Sequence, residues 1–412
     1  MRLYALKRYI GHDRFKLALA SALIQAANFA VLLVAKITIP SADFAFLLTQ
    51  LAFAGIIGAI ASMRFEVLVF QTHSRMTYAA IVIPIVATAA VIPTFFASVE
   101  LTNMVMGQDF TLSVLSIPMM IGLSFSAIHT FAYLQVGLLN ALVAARAVQA
   151  GALVLVTLAL LSGFYSPSGS TLLALIGIGY AIPSALWLVW FILQTSPSRN
   201  DPPAFYLPGL GLFKRSLSLT VSTGVNSIYV NLPLLVAYGT QSVSFVADFG
   251  LMLRAFTAPV TLIGQVIGRL FLADALRWSL LPENSTSALS RLISHAMVQS
   301  LGGYLLISPP LIGLLWLYRA ELNIVHIELA AYLFVAGLGQ SVVNPVSQVR
   351  VALKDERTFL IFDTLRLFTL ALGLYSLAAI LPYELAFMVT ALCLYAAYIG
   401  FIFQRVSYYK KI

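Results

Sequence analysis

Runs of about 20 apolar residues, separated by short polar or charged breaks, repeat along the whole chain. Each is long enough for a helix to cross roughly 30 Å of hydrocarbon, and no sustained alternation of the kind a membrane strand would show interrupts them. Twelve spans are predicted, at 16–37, 43–68, 76–98, 112–136, 138–163, 170–194, 213–238, 243–272, 292–317, 325–349, 358–381 and 384–406. The expected fold is all-α and polytopic. The most loop-like stretch, TSPSRNDPPAFYLPGLG at 195–211, follows the sixth span. It sets an N-terminal six-helix lobe at 1–198, a cytoplasmic linker at 199–212 and a C-terminal six-helix lobe at 213–412. Transporters built from repeats are arranged in this way.

Composition agrees with the pattern: 60% of the 412 residues are hydrophobic and 9% charged, against roughly 25% charged in soluble domains. The net charge of +9 is explained by topology. With a cytoplasmic N-terminus, 20 of the 24 basic residues fall at inner positions, Lys36 and Arg319 fall outside, and Arg254 and Arg366 lie within spans. This excess predicts both termini in the cytoplasm and leaves no case for nucleic-acid binding. Leu3, Tyr4, Leu6, Tyr9 and Ile10 interleave with Arg2, Lys7 and Arg8, as in an interfacial helix. No cleavage site follows, so the first span is expected to be retained. The single cysteine, Cys393, excludes an intrachain disulfide. No phosphate-cradling loop, Cys/His cluster or Gly-x-Ser-x-Gly elbow is present, and the outer loops are short. The expectation is a carrier without a cofactor, not an enzyme.

Ionisable residues inside a membrane span are costly and turn toward protein or a wet cavity, so helical phase shows which faces are polar. In ADFGLMLRAFTAPVTLIGQVIGRLFLADA, the eighth span, Arg254, Thr257, Thr261, Gln265 and Arg269 share one face with Ala258 and Gly268. Phe256, Pro259, Val260, Ile263, Val266, Ile267 and Leu270 form the other. The polar face is either a packing face whose threonines bond back to their own helix or a cationic stripe in a hydrophilic cavity. Two arginines four turns apart favour the stripe. Span seven carries Ser216, Thr220, Thr223, Ser227 and Asn231 on one face, and span one carries Ser21, Gln25 and Asn28; each is open to a lumen or a helix-contact reading.

Arg146 and Gln149 in span five are helical neighbours, at the inner interface or in a substrate path. Asp363 and Arg366 in span eleven are expected to pair internally. Asp248 is an interfacial residue or a proton site, His129 a satisfied polar residue in a helix contact, Lys36 a snorkelling residue and Asp43 the cap of span two. In ASMRFEVLVF at 61–70, a continuing helix would place Glu66 with Ser62, Ala59, Gly58 and Gly55, looking inward, and would turn Arg64 toward headgroups or a cavity mouth. Alternatively both residues end the helix in water.

Two stretches carry a resemblance. SMRFEVLVF resembles the signature ending the second span of polysaccharide (O-antigen and capsule) flippases, with methionine at position 63 where leucine is favoured. ADFGLMLRAFTAPVTLIGQVIGRLF is similar to their eighth span at Arg254, Pro259, Leu262, Ile263, Gly264, Gln265, Ile267, Gly268 and Phe271, with Arg269 where glutamine is expected. ALVAARAVQAG resembles their fifth span at Arg146 and Gln149. That family belongs to the multidrug/oligosaccharidyl-lipid/polysaccharide exporter superfamily. The resemblance implies two six-helix lobes around a central cavity faced by spans one, two, seven and eight. It also implies a polyprenyl-diphosphate-linked oligosaccharide flipped across the bacterial cytoplasmic (inner) membrane by alternating access, for O-antigen, capsule or exopolysaccharide synthesis.

On that basis Arg254 and Arg269, with Arg64 at the mouth, would receive the diphosphate, because a guanidinium fork bonds oxygens bidentately. Gln25, Asn28, Asn231, Thr261 and Gln265 would bond sugar hydroxyls, with Thr257, Arg146 and Gln149 also in the cavity. Proton or sodium exchange through Glu66 or Asp248 would reset the carrier. Expected partners are the lipid-linked oligosaccharide, membrane lipids and other polysaccharide-assembly membrane proteins. The alternatives are a drug/cation antiporter of the same superfamily and a membrane sugar polymerase.

Overall fold

The computed structural model describes residues 12–65, 79–106, 112–136, 138–163, 167–195, 210–279, 286–353 and 355–409. Among these every regular element is helical. The helices are α1 (His12–Thr38), α2 (Ser41–Ile60), α3 (Ala79–Met106), α4 (Ile117–Val136), α5 (Leu139–Leu161), α6 (Gly169–Thr195) and α7 (Leu210–Thr240). They continue as α8 (Val243–Ser279), α9 (Thr286–Leu317), α10 (Leu329–Val346), α11 (Val349–Leu353), α12 (Glu356–Leu377) and α13 (Tyr383–Tyr409). All but α11 have 18 residues or more, and 11 of them hold a stretch long and apolar enough to cross a membrane. In α4 the comparable apolar run is shorter, Val114–Thr130, and begins in a 3-10 turn at Val114–Ser116. The chain is an all-α, multi-pass membrane protein with about twelve membrane helices.

By internal contacts the chain divides into two compact units, Ala26–Asn231 and Met1–Gln25 with Leu232–Ile412. The division passes through α1 and α7, while most of the stretch expected as a linker, 199–212, lies outside the described residues.

Within Ala26–Asn231 the core is made by close backbone approach, the device that substitutes for hydrophobic driving force between helices in lipid. A Cβ at Gly122 of α4 would come within 2.7 Å of the Ala181 nitrogen of α6, and one at Gly177 of α6 within 2.6 Å of the Met119 nitrogen of α4. Gly58 of α2 sits against Leu123 and Met120 of α4 in the same manner. In the second unit α8 packs against α10 at Gly264 and Gly268, which face Asn344 and Pro345. Aromatic rings fill the rest: Phe249 meets Phe245, Tyr383 and Phe387, and Phe362 stacks on Phe401 at 4.3 Å.

Several local expectations change. The second helix ends at Ile60 instead of running to 68, and residues 61–64 form a turn with Met63 at φ 51° and Arg64 at φ 54°. Both are left-handed, a conformation that costs an ordinary side chain roughly 1–2 kcal/mol. Lys36 does not snorkel to the surface. It is 5% exposed, with Nζ 5.8 Å from the Phe44 ring centre, so its charge is stabilised by a ring face. Asp43 makes no capping hydrogen bond; the α2 cap is Pro40, and Asp43 stands in the first turn, where its charge complements the helix dipole.

Candidate functional site

The eighth helix separates its two faces by burial as well as by chemistry. Phe256, Val260 and Ile263 are buried in the second unit, whereas Arg254, Thr257, Ala258 and Thr261 are all half-buried. Lipid is a poor neighbour for a guanidinium, so the less buried face of α8 suits polar surroundings better than hydrocarbon. Thr257 donates to the Leu253 carbonyl at 2.7 Å, and Thr261 to the Thr257 carbonyl at 2.8 Å. These back-bonds consume the hydroxyl hydrogens and leave the oxygens as acceptors. Further along, Gly264 and Gly268 are occupied by packing on α10, where Asn344 Nδ2 reaches the Val260 carbonyl at 3.4 Å. The half-buried polar face is therefore Arg254 to Thr261. The helix runs unbroken through Pro259. The side chains of Gln265 and Arg269 lie outside the described residues.

The polar residues of α7 up to Asn231 belong to the first unit, where two serines act as helix glue. Ser216 donates to the Met63 carbonyl and Ser227 to that of Gly55 at 3.4 Å, while Gly224 lies against Ile60. Thr220 and Asn231, both half-buried, bond back to Ser216 and Ser227 at 2.8 and 2.9 Å. On α1, Ser21 is buried, and Gln25 and Asn28 are half-buried.

The helical phase expected for Arg64 and Glu66 does not apply, because α2 has already ended. Arg64 is half-buried in the left-handed turn, Phe65 is buried 6.3 Å from the Phe213 ring, and Glu66 lies outside the described residues. Gly58, placed by phase beneath Glu66, is filled by Leu123.

Arg146 is the centre of a second polar cluster, between α4, α5 and α6. Its Nη1 donates to Ser126 Oγ and, at 3.0 Å, to Gln149 Oε1; its Nη2 donates to Thr130 Oγ1 at 2.6 Å. Gln149, fully buried, passes the network to Ser184 Oγ at 2.6 Å. Beside it His129 is fully buried with neither ring nitrogen hydrogen-bonded, its ring edge-on to Tyr133 at 5.9 Å. The expectation of a satisfied histidine is thus overturned. The only hint in the sequence was spacing: Ser126, His129, Thr130 and Tyr133 recur at i, i+3, i+4 and i+7.

In the second unit Asp248, 1% exposed, accepts the backbone N–H groups of Val325 and His326 at 2.9 and 3.0 Å, tying the start of α8 to the loop before α10. Asp363 meets Arg366 at 3.5 Å as expected, and also Arg350 at 3.3 Å, a partner that phase within one helix could not reveal. Arg366 lies over the Tyr398 ring at 4.7 Å. The candidate residues thus collect into separate groups within each unit: Arg146 with Gln149, and Arg254 with Thr257 and Thr261.

No family model and no curated relative matches the sequence. Among solved structures, the chain is similar to a MATE transporter in complex with MaD3S, with TM-score 0.67, 13% identity and coverage of 97% of this chain and 96% of that one. It is similar to a multidrug resistance MATE transporter of the MOP superfamily in an outward-facing conformation, with TM-score 0.65, 11% identity and coverage of 97% and 95%. A third similar structure is a MOP superfamily transporter from Pyrococcus furiosus, described as having a binding pocket of reverse polarity that suggests a different function. Its TM-score is 0.58, with 11% identity and coverage of 97% and 95%. The chain has the fold of MATE transporters.

Proposed function

We propose that this protein flips a polyprenyl-diphosphate-linked oligosaccharide from the inner to the outer leaflet of a bacterial cytoplasmic membrane, both termini being cytoplasmic. The observation that carries the reading is Arg254, Thr257 and Thr261 on the less buried face of α8, opposite the buried Phe256, Val260 and Ile263. Diphosphate and sugar cannot enter hydrocarbon without their polar groups being matched. Arginine supplies a donor fork for the diphosphate, and the two threonine oxygens, already relieved of their hydrogens, accept from sugar hydroxyls. In this reading Arg269, Gln265, Gln25, Asn28, Asn231 and Arg64 extend the path. An inside-negative potential assists outward movement of an anionic headgroup by about 2.3 kcal/mol per charge per 100 mV. Glu66 is the candidate for proton or sodium coupling; Asp248 is tied to two backbone amides, which suits a fixed loop anchor better than a carrier site.

Drug/cation antiport is the second reading, favoured by the shared fold with multidrug transporters. Pocket polarity separates the two, since a cationic α8 face repels cationic drugs. The test is surface glycan display and drug susceptibility in cells carrying Arg254→Ala with Arg269→Ala. Loss of glycan at unchanged membrane level and unchanged drug sensitivity is expected. Normal glycan with raised drug sensitivity would replace flipping by antiport.

A further inference from the structure

Arg146, half-buried, differs from the paired arginines of the second unit. Arg350 and Arg366 share the Asp363 carboxylate, whereas Arg146 is bonded only to neutral oxygens: Ser126, Thr130 and Gln149. Among the described residues no carboxylate pairs with it. A charge within a membrane span is costly without a counter-charge or polar surroundings, even at a half-buried position. A guanidinium has five N–H donors, and three are used here, so two remain. The second observation is His129, on the same face of α4 as Ser126 and Thr130, fully buried and without a hydrogen bond at either nitrogen. A neutral imidazole carries one N–H, and leaving that donor unmatched in the interior adds its own desolvation cost.

We infer that this pocket of α4, α5 and α6 is a site for a small monovalent inorganic anion of the halide class, held by the remaining Arg146 N–H groups and the His129 N–H. One negative charge cancels the guanidinium, and one acceptor satisfies the imidazole. The enclosure sets the size. Ser126, His129, Thr130, Gln149, Tyr180 and Ser184 are each 6% exposed or less and Arg146 is half-buried, a close-packed lining that suits a compact ion. The inference is independent of the cargo assigned above, because the site lies among helices of the first unit and uses neither Arg254 nor Arg269.

The aromatic neighbours give a readout. Tyr133 joins His129 to Trp187 and Trp190, whose rings lie 6.4 and 6.2 Å from it. In the full chain with Trp278→Phe and Trp316→Phe, placed in phosphatidylcholine nanodiscs, iodide titrated against gluconate should quench fluorescence with a saturating static component that chloride displaces. His129→Phe keeps the ring on Tyr133 and removes no existing hydrogen bond, so it should fold; half-saturation should rise roughly tenfold. Arg146→Gln should abolish saturation. Quenching that stays linear in iodide and equal in all three proteins would overturn the site. Loss of the static component when phosphatidylglycerol replaces phosphatidylcholine would overturn the inorganic-ion assignment in favour of a lipid phosphate.

Discussion

At the level of single residues, charge placement follows one rule: a buried charge keeps a partner or a use. Asp363 is held between Arg350 and Arg366. Asp363→Asn should therefore destabilise the protein by about 3–5 kcal/mol, read as a lowered unfolding midpoint in detergent, whereas replacing all three by apolar residues should cost far less. Asp248→Ala should free the Val325 and His326 amides, costing about 1–3 kcal/mol locally, seen as faster amide hydrogen exchange at those two positions alone. Some of this was legible in the sequence. Asp363 and Arg366 are three apart on one helix, so their pairing follows from helical geometry. Arg350 was not legible, because it reaches Asp363 only after a turn between α10 and α12 whose direction no periodicity encodes. His129 and Lys36 were misjudged for a related reason: the identity of a buried polar residue does not show whether a partner, a ring face or nothing stands opposite.

At the level of elements, helix existence and the two faces of α8 could be read from apolar periodicity, since burial of Phe256, Val260 and Ile263 is the physical consequence of that pattern. The end of α2 could not. Met63 and Arg64 are not turn formers, and the apolar residues that follow at 67–70 read as more helix. Met63→Gly should raise thermal stability by roughly 1 kcal/mol, because glycine adopts the left-handed conformation without Cβ strain; a lowered midpoint would show that the methionine side chain contributes more than its backbone costs. Helix contacts through glycine are stricter. Gly122→Val would drive a side chain into the α6 backbone, and the expected result is a protein that fails to accumulate in the membrane.

At the level of the whole molecule, hydropathy and base placement predict the number and direction of the helices, and the shared fold with MATE transporters accords with the count. The direction is open to direct measurement: in a cysteine-free Cys393→Ser background, a cysteine at position 319 should react with an impermeant thiol reagent added outside, and one at 199 should not. By internal contacts α1 and α7 each contribute to both units, and a long helix carries no mark in its sequence where its neighbours change. The triad around Asp363 bears finally on how the chain is built. Arg350 leaves the ribosome before Asp363 and has no counter-charge from that carboxylate until α12 follows it. Nascent chains halted just after residue 355 should thus be retained by the insertion machinery or taken by quality-control proteases, and a stall some thirty residues later (roughly the length of α12 plus its clearance from the exit site) should not. Biosynthesis of the second unit would then have a checkpoint, written as a single acid that arrives late.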